Sequence, residues 1–182
     1  FLERKLVELG FKPSDAGGGF SGVASISPKE AAQQAVTGMG KSKTTLVADK
    51  TFLTSENSTL STANSGLTFT NDNLAANTSS RQLQNTTYIA ERQVLYTNLA
   101  AADAADKPAI QAQIDAKNSQ INANNSAISS NTSTINTNNA TIGTNNAKID
   151  TNTTAIGALT TRIGGLDGQI VNVQNDINNN VY

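Results

Sequence analysis

The stretch ISSNTSTINTNNATIGTNNAKIDTNTTAI, residues 128–156, decides the fold of this chain. It belongs to a longer series in which isoleucine recurs at every seventh residue from Ile114 to Ile177. A strict seven-residue apolar repeat is typical of a helix that supercoils around a partner, because the apolar stripe of a lone α-helix drifts by about 20° per heptad. The series therefore predicts a coiled coil.

The second core position, three residues after each isoleucine, is polar along the middle of this series. It holds Asn124, Asn131, Asn138, Asn145 and Asn152. Towards the C-terminal end the same position becomes apolar. The predicted apolar core residues are Ile114, Ile121, Ile128, Ile135, Ile142, Ile149, Ile156, Leu159, Ile163, Leu166, Ile170, Val173 and Ile177. A helix so rich in Asn, Thr and Ser has poor intrinsic propensity, so association must stabilise it.

We expect the partners to form a parallel trimer. In three parallel helices, asparagines of one layer converge on the axis and can satisfy one another, a water molecule or an anion. In an intramolecular pair we expect the same amides to face unrelated residues and often to stay unpaired, which is costly when they are buried. Arg162 and Asp167 also have the i to i+5 spacing that bridges neighbouring chains in a parallel coil.

Two heptads carry a resemblance to known fibres: Ile128-Ser-Ser-Asn131-Thr132 and Ile149-Asp-Thr-Asn152-Thr153. This I-x-x-N-T pattern resembles the stalks of trimeric autotransporter adhesins and the shafts of bacteriophage tail and head fibres. The resemblance implies a parallel homotrimer whose asparagine rings coordinate an anion such as chloride on the axis. Asn131 and Asn152 match that pattern best, and the looser matches, each followed by Asn, are Asn124, Asn138 and Asn145. The resemblance implies no catalytic activity.

Residues 1–45 are predicted to form an N-terminal docking segment. Leu2, Leu6 and Leu9 share one face of a short helix, which either anchors the rod to a larger assembly or packs on a neighbouring segment. A glycine-rich linker follows at residues 17–22. Ser27 and Glu30 then predict a capping box, and the helix that it opens is expected to stop near residue 38.

Residues 46–107 are predicted to form a Ser/Thr-rich shaft. Leucine recurs there at a seven-residue spacing, at Leu46, Leu53, Leu60, Leu67 and Leu74. The spacing favours helix, although residues 44–47 and 67–70 are also compatible with short strands. Residues 81–105 predict a stronger helix.

Pro108 then interrupts the pattern and opens the rod segment 108–182. In one interpretation the chain continues along the rod. In the other it turns back, so that residues 46–105 and 109–182 form an antiparallel helical hairpin, as in flagellin-like subunits that stack into filaments. The predicted fold class is all-α, an elongated parallel trimeric coiled coil with a small irregular N-terminal docking region; a long antiparallel helical hairpin is the alternative.

Composition argues against several function classes. The chain has no cysteine and no histidine, so it lacks thiolate chemistry, Cys-type zinc sites and the commonest general base. A net charge of −1 with 15% charged residues offers no basic surface for nucleic acid, and no apolar run is long enough for a membrane span. Acidic residues such as Asp49, Glu56, Asp103 and Asp106 are interpreted as solvated surface. We therefore expect no enzyme, no metal and no cofactor, apart from an anion on a trimer axis.

These observations predict a structural fibre protein. The leading hypothesis is a virion fibre, with the N-terminus docked to a capsid or tail and a homotrimeric rod that projects outward. The alternative is a subunit of a bacterial or archaeal surface adhesin or extracellular filament, which a signal peptide upstream of Phe1 would favour. Either hypothesis places the chain in a virion, outside the cell or on its surface. A cytoplasmic scaffold is disfavoured by the low charge content.

Overall fold

The computed structural model describes residues 26–181, which form two long α-helices, α1 (Pro28–Ala101) and α2 (Lys107–Asn178). The described residues contain no strand, so the predicted all-α class is confirmed. The short strands considered at 44–47 and 67–70 are wrong, because both segments lie inside α1. The predicted docking residues Leu2, Leu6 and Leu9 lie outside the described residues.

A capping box begins α1, as predicted. The Ser27 backbone N–H donates to Glu30 Oε2 at 2.8 Å, and the Glu30 N–H donates back to Ser27 Oγ at 3.2 Å. The same backbone bond, together with one from the Ser27 hydroxyl, lowers the pKa of the Glu30 carboxyl. Pro28 occupies the first helical position, where its missing N–H costs nothing.

The predicted helix stop near Gly38 is wrong, because α1 continues to Ala101 and contains Gly38, Gly40 and Gly66. It also crosses the boundary predicted at residue 45 without a break. Each interior glycine costs about 1 kcal/mol of helix stability relative to alanine. Packing along the heptad face offsets that cost, since most helical stability in proteins comes from such packing.

The helices pack in two units. The second unit, Phe52–Ala155, contains the turn at residues 102–106, so its path is a helical hairpin. A continuous rod through Pro108 is therefore wrong, and the chain turns back as in the hairpin alternative. The Asp106 and Lys107 N–H groups both donate to the Asp103 carbonyl, at 3.1 and 3.3 Å, which closes the turn. Pro108 then lies in the first turn of α2, where its missing N–H is tolerated.

The first unit combines the described residues up to Thr51 with those from Ile156 onward. Its two helical segments also run antiparallel, because Lys29 Nζ donates to Asn180 Oδ1 at 3.3 Å and Lys43 Nζ lies 2.5 Å from Asp167 Oδ1. Asp167, which the sequence paired with Arg162 of a neighbouring chain, thus has a lysine partner in its own chain.

Asn180 ends α2 in a left-handed conformation, with φ 52°. The Val181 N–H donates to the Asp176 carbonyl at 3.1 Å, and the Asn180 N–H donates to the Ile177 carbonyl at 3.3 Å. This pair of bonds is the Schellman motif, which satisfies carbonyls that a helix end otherwise leaves free. Asparagine is one of the few non-glycine residues that tolerate the conformation.

Candidate functional site

The feature of the hairpin with the most specific chemistry is the seam between α1 and α2 in the second unit. Hydrogen-bonded pairs set its antiparallel register: Asn64 with Asn145, and Asn71 with Asn138. Leu67, three residues beyond Asn64, therefore lies in the same layer as Ile142. Both side chains are half-buried. The seam thus alternates asparagine layers with leucine–isoleucine layers.

Each regular asparagine layer forms a relay of two hydrogen bonds. In one of them Asn138 Nδ2 donates to Asn71 Oδ1 at 2.8 Å, and Asn71 Nδ2 donates onward to Asn139 Oδ1 at 2.9 Å. The same relay recurs from Asn145 through Asn64 to Asn146, from Asn124 through Asn85 to Asn125, and from Asn152 through Asn57 to the Thr153 hydroxyl. The α1 asparagine uses its amide as acceptor and donor at once.

The relay accounts for the three Asn-Asn pairs that follow the heptad pattern of α2, whereas opposite Asn57 the Thr153 hydroxyl takes the acceptor position. Where α1 offers Asn64, Asn71 or Asn85, an Asn-Asn pair on α2 supplies both a donor and an acceptor. At the layer of Thr78 the α1 residue has no amide, and Asn131 is followed by Thr132. There Asn131 Nδ2 donates to Asn77 Oδ1 at 3.0 Å and to Thr78 Oγ1 at 3.2 Å.

All five asparagines predicted to form axial anion rings bond to α1 of the same chain. The expectation that they would often stay unpaired in an intramolecular arrangement is wrong. In the described part of the chain, no buried side-chain nitrogen or oxygen lacks a hydrogen-bond partner. The α1 partners were not predicted, although a sequence pattern indicates them. Asn57, Asn64 and Asn71 recur every seventh residue, each three residues before a leucine of the heptad series.

Near the hairpin turn the seam layers become charged. Lys117 Nζ lies 2.5 Å from Glu91 Oε2 and 4.9 Å from the centre of the Tyr88 ring, a cation–π geometry. Arg92 Nη1 donates to Asn118 Oδ1 at 2.6 Å. Arg81 Nη1 donates to Asn124 Oδ1 at 3.0 Å. Each cation is thus held by a partner on the opposite helix.

The residues predicted as the apolar core lie on the face of α2 that bears the relays. Ile114 is the most deeply buried, with 1% of its surface exposed, and Ile121 and Ile177 are also buried. The remaining members of the set are half-buried: Ile128, Ile135, Ile142, Ile149, Ile156, Leu159, Ile163, Leu166, Ile170 and Val173.

Glu56, interpreted from the sequence as solvated surface, is instead half-buried and bonded to α2 across the seam. Its carboxylate forms a salt bridge with Lys148 Nζ and accepts a hydrogen bond from Asn152 Nδ2 at 2.8 Å. These two contacts, Lys148 first, lower the pKa of the Glu56 carboxyl from its ordinary value of 4.5. A lowered pKa in the folded state means that the ionised carboxylate stabilises the fold.

Replacing Glu56 with glutamine is expected to lower the melting temperature at pH 7 but not in strong acid. The contribution of the carboxylate is present above pH 4.5 and is lost as the pH falls through the lowered folded-state pKa. Thermal melts of wild type and E56Q by circular dichroism, from pH 7 to pH 2, test this. The melting temperatures of wild type and E56Q should converge at low pH. K148M should also melt below wild type at pH 7, by a smaller difference than E56Q. A difference between wild type and E56Q that is constant with pH would contradict the assignment.

The described residues contain no group of three or more acidic residues placed to hold a metal ion. A groove of about 540 Å³ in the first unit is lined by Leu46, Arg162 and Leu166 among others, with no carboxylate in its lining. Asp49, Asp103 and Asp106 are exposed, in agreement with their interpretation as solvated surface. No described helix is long and apolar enough to cross a membrane.

Comparison with known proteins finds no matching family model, no matching curated protein and no matching solved structure.

Proposed function

We propose that this chain is a structural subunit of an extracellular filament or surface adhesin, with the helical hairpin as its rigid element. The observation that carries the proposal is the relay of asparagine amides between α1 and α2. Asn57, Asn64, Asn71 and Asn85 of α1 each accept a hydrogen bond from an asparagine of α2, and these bonds hold the two helices together. These bonds support a mechanical role for the seam.

The asparagine pairs fix the alignment of the two helices, which suits a rigid structural element. A slip of the helices by three or four residues would place asparagine against leucine or isoleucine and leave amides unpaired, at about 1–3 kcal/mol for each buried group. Unpaired polar groups disfavour such registers, as a buried asparagine does in other coiled coils. A fibre subunit needs such a fixed alignment because it transmits force along its length.

A virion fibre built on a parallel trimer is the second candidate. It is favoured by the two I-x-x-N-T heptads at Ile128 and Ile149, which resemble the shafts of trimeric phage fibres and adhesin stalks. In that arrangement the isoleucine series forms the trimer core, the asparagines form rings that bind chloride, and the N-terminal segment docks to a capsid or tail. It requires the relays between α1 and α2 to be exchanged for contacts between chains.

Introduced cysteines separate the two candidates, because the natural chain has none. Asn64 and Asn145 are bonded at 2.8 Å, so N64C/N145C is expected to form a disulfide within one chain under mild oxidation. N64C/N138C is the matched control. Its cysteines are out of register by one heptad, about 10 Å along the helix, and should stay reduced.

The measurement is non-reducing electrophoresis together with mass by sedimentation. The filament proposal expects a monomer-sized, faster-migrating N64C/N145C band and no covalent product from N145C alone. In a parallel trimer, N145C alone would form covalent dimers across the axis and N64C/N145C would form no intrachain bond. That second pattern would overturn the hairpin as the functional fold.

A further inference from the structure

The outward face of α1 in the second unit carries large apolar side chains that the hairpin does not cover. Phe69 is 68% exposed, Leu83 is 71% exposed and Val94 is 60% exposed. Phe52, the other phenylalanine among the described residues, is also 66% exposed. Phenylalanine and leucine normally dominate cores and interfaces, so a helix with both of its phenylalanines in solvent calls for a partner surface.

Several of these residues form a line along one side of the helix. Phe69, Ala76, Leu83 and Ala90 follow one another at seven-residue intervals, and Val94 lies three turns beyond Leu83. We call these five residues the outer stripe. Phe69 lies two residues from both Leu67 and Asn71 of the seam, about 200° around the helix from each, so the stripe faces away from α2.

The positions between the apolar members of the stripe are short and neutral. Asn73, Ser80 and Thr87 alternate with them, and all three are exposed. The outer stripe therefore repeats the composition of the seam, in which apolar layers alternate with small polar layers. A surface of this composition can meet a copy of itself as α1 meets α2.

The charges of α1 are compatible with self-association. Between residues 65 and 97 its charged residues are Asp72, Arg81, Glu91 and Arg92. The last three bond to residues of α2 across the seam. Asp72 is then the one charge near the stripe, so two copies can approach without the repulsion that a charged face would cause.

The corresponding face of α2 lacks such a stripe. Its outward seven-residue series reads Ser119, Ser126, Ser133, Ala140 and Ala147, all exposed and none larger than serine or alanine. The two outward faces of the hairpin are thus chemically different, and the large apolar groups lie on α1.

We propose that the outer stripe of α1 binds the outer stripe of a second copy of this chain. The contact would be isologous, the same patch on both subunits, and would provide a lateral contact between hairpins. Such a contact would join hairpins side by side in a filament, a role that rests on the function proposed above.

Charge introduced into the stripe tests the contact. F69E/L83E places two carboxylates per chain in the proposed interface. S126E/A140E is the matched control, with the same added charge and the same fourteen-residue spacing on the outward face of α2. Sedimentation equilibrium of the purified chains, over a range of concentrations from micromolar upward, measures association, and circular dichroism measures helix content.

Wild type and S126E/A140E are expected to associate alike, whereas F69E/L83E should associate at least tenfold more weakly with unchanged helix content. If F69E/L83E loses helix, the neutral F69S/L83S takes its place with the same expectation. A wild type that stays monomeric throughout, equal association of F69E/L83E and wild type, or an equal loss in S126E/A140E would each overturn the proposal. Adding N64C/N145C to each variant reports the hairpin separately, so that failure of the contact and failure of the hairpin are distinguishable.

Discussion

Replacing Ile114 with alanine is expected to lower the free energy of unfolding by roughly 2–5 kcal/mol. Ile114 has 1% of its surface exposed and is the most deeply buried large side chain among the described residues. Its truncation removes apolar contacts and leaves a cavity. The neighbouring Lys117–Glu91 salt bridge and Arg92–Asn118 hydrogen bond join the two helices close to Ile114. They fix the distance between the helices there, so the helices cannot readily close the cavity.

Urea unfolding followed by circular dichroism measures this loss. V171A is the control, because Val171 is on the same helix and is 55% exposed. It should change the free energy of unfolding by about 0.5 kcal/mol or less. A loss below about 1 kcal/mol for I114A would mean that the hairpin end is open in solution.

The second large effect concerns one asparagine layer, in which each single substitution is expected to destabilise the fold and the double substitution is not. N71L alone removes the acceptor of Asn138 and the donor to Asn139, and N138I alone leaves the Asn71 carbonyl oxygen without its donor. Each single change is expected to cost about 1–3 kcal/mol, because a polar group at the seam loses its partner. The double variant N71L/N138I replaces the layer with a leucine–isoleucine pair like that of Leu67 and Ile142. It is expected to be at least as stable as wild type, since both partners become apolar together.

A double-mutant cycle of chemical unfolding gives the coupling between Asn71 and Asn138, expected at about 0.5–3 kcal/mol. The matched cycle pairs N71L with N145I, which belongs to the adjacent asparagine layer. Its two changes should be closer to additive. Additive effects for Asn71 and Asn138 themselves would mean that the relay is not formed in solution.

Local features of the fold were predictable because their causes lie within a few residues. Ser27 and Glu30 form the predicted capping box, since both partners are three residues apart in one turn. Asp106 precedes α2, and Pro108 lies in its first turn, where a chain break was expected. The helix stop near Gly38 was predicted wrongly, because a local preference of about 1 kcal/mol is smaller than the packing that a long heptad face provides.

The seven-residue series of isoleucine and asparagine by itself determined that α2 is a helix with a partner and that the asparagines on its core face need hydrogen-bond partners. It did not determine which chain provides that partner, because a heptad repeat describes one face of a helix and is the same for a parallel trimer and for an antiparallel hairpin. In the tertiary structure, α1 of the same chain is that partner. The fold brings Asn57, Asn64, Asn71 and Asn85, up to about 95 residues away in sequence, into bonding distance of the α2 series. Only the turn at residues 102–106 makes those distant amides neighbours, and with them the core asparagines of α2 find partners within the chain.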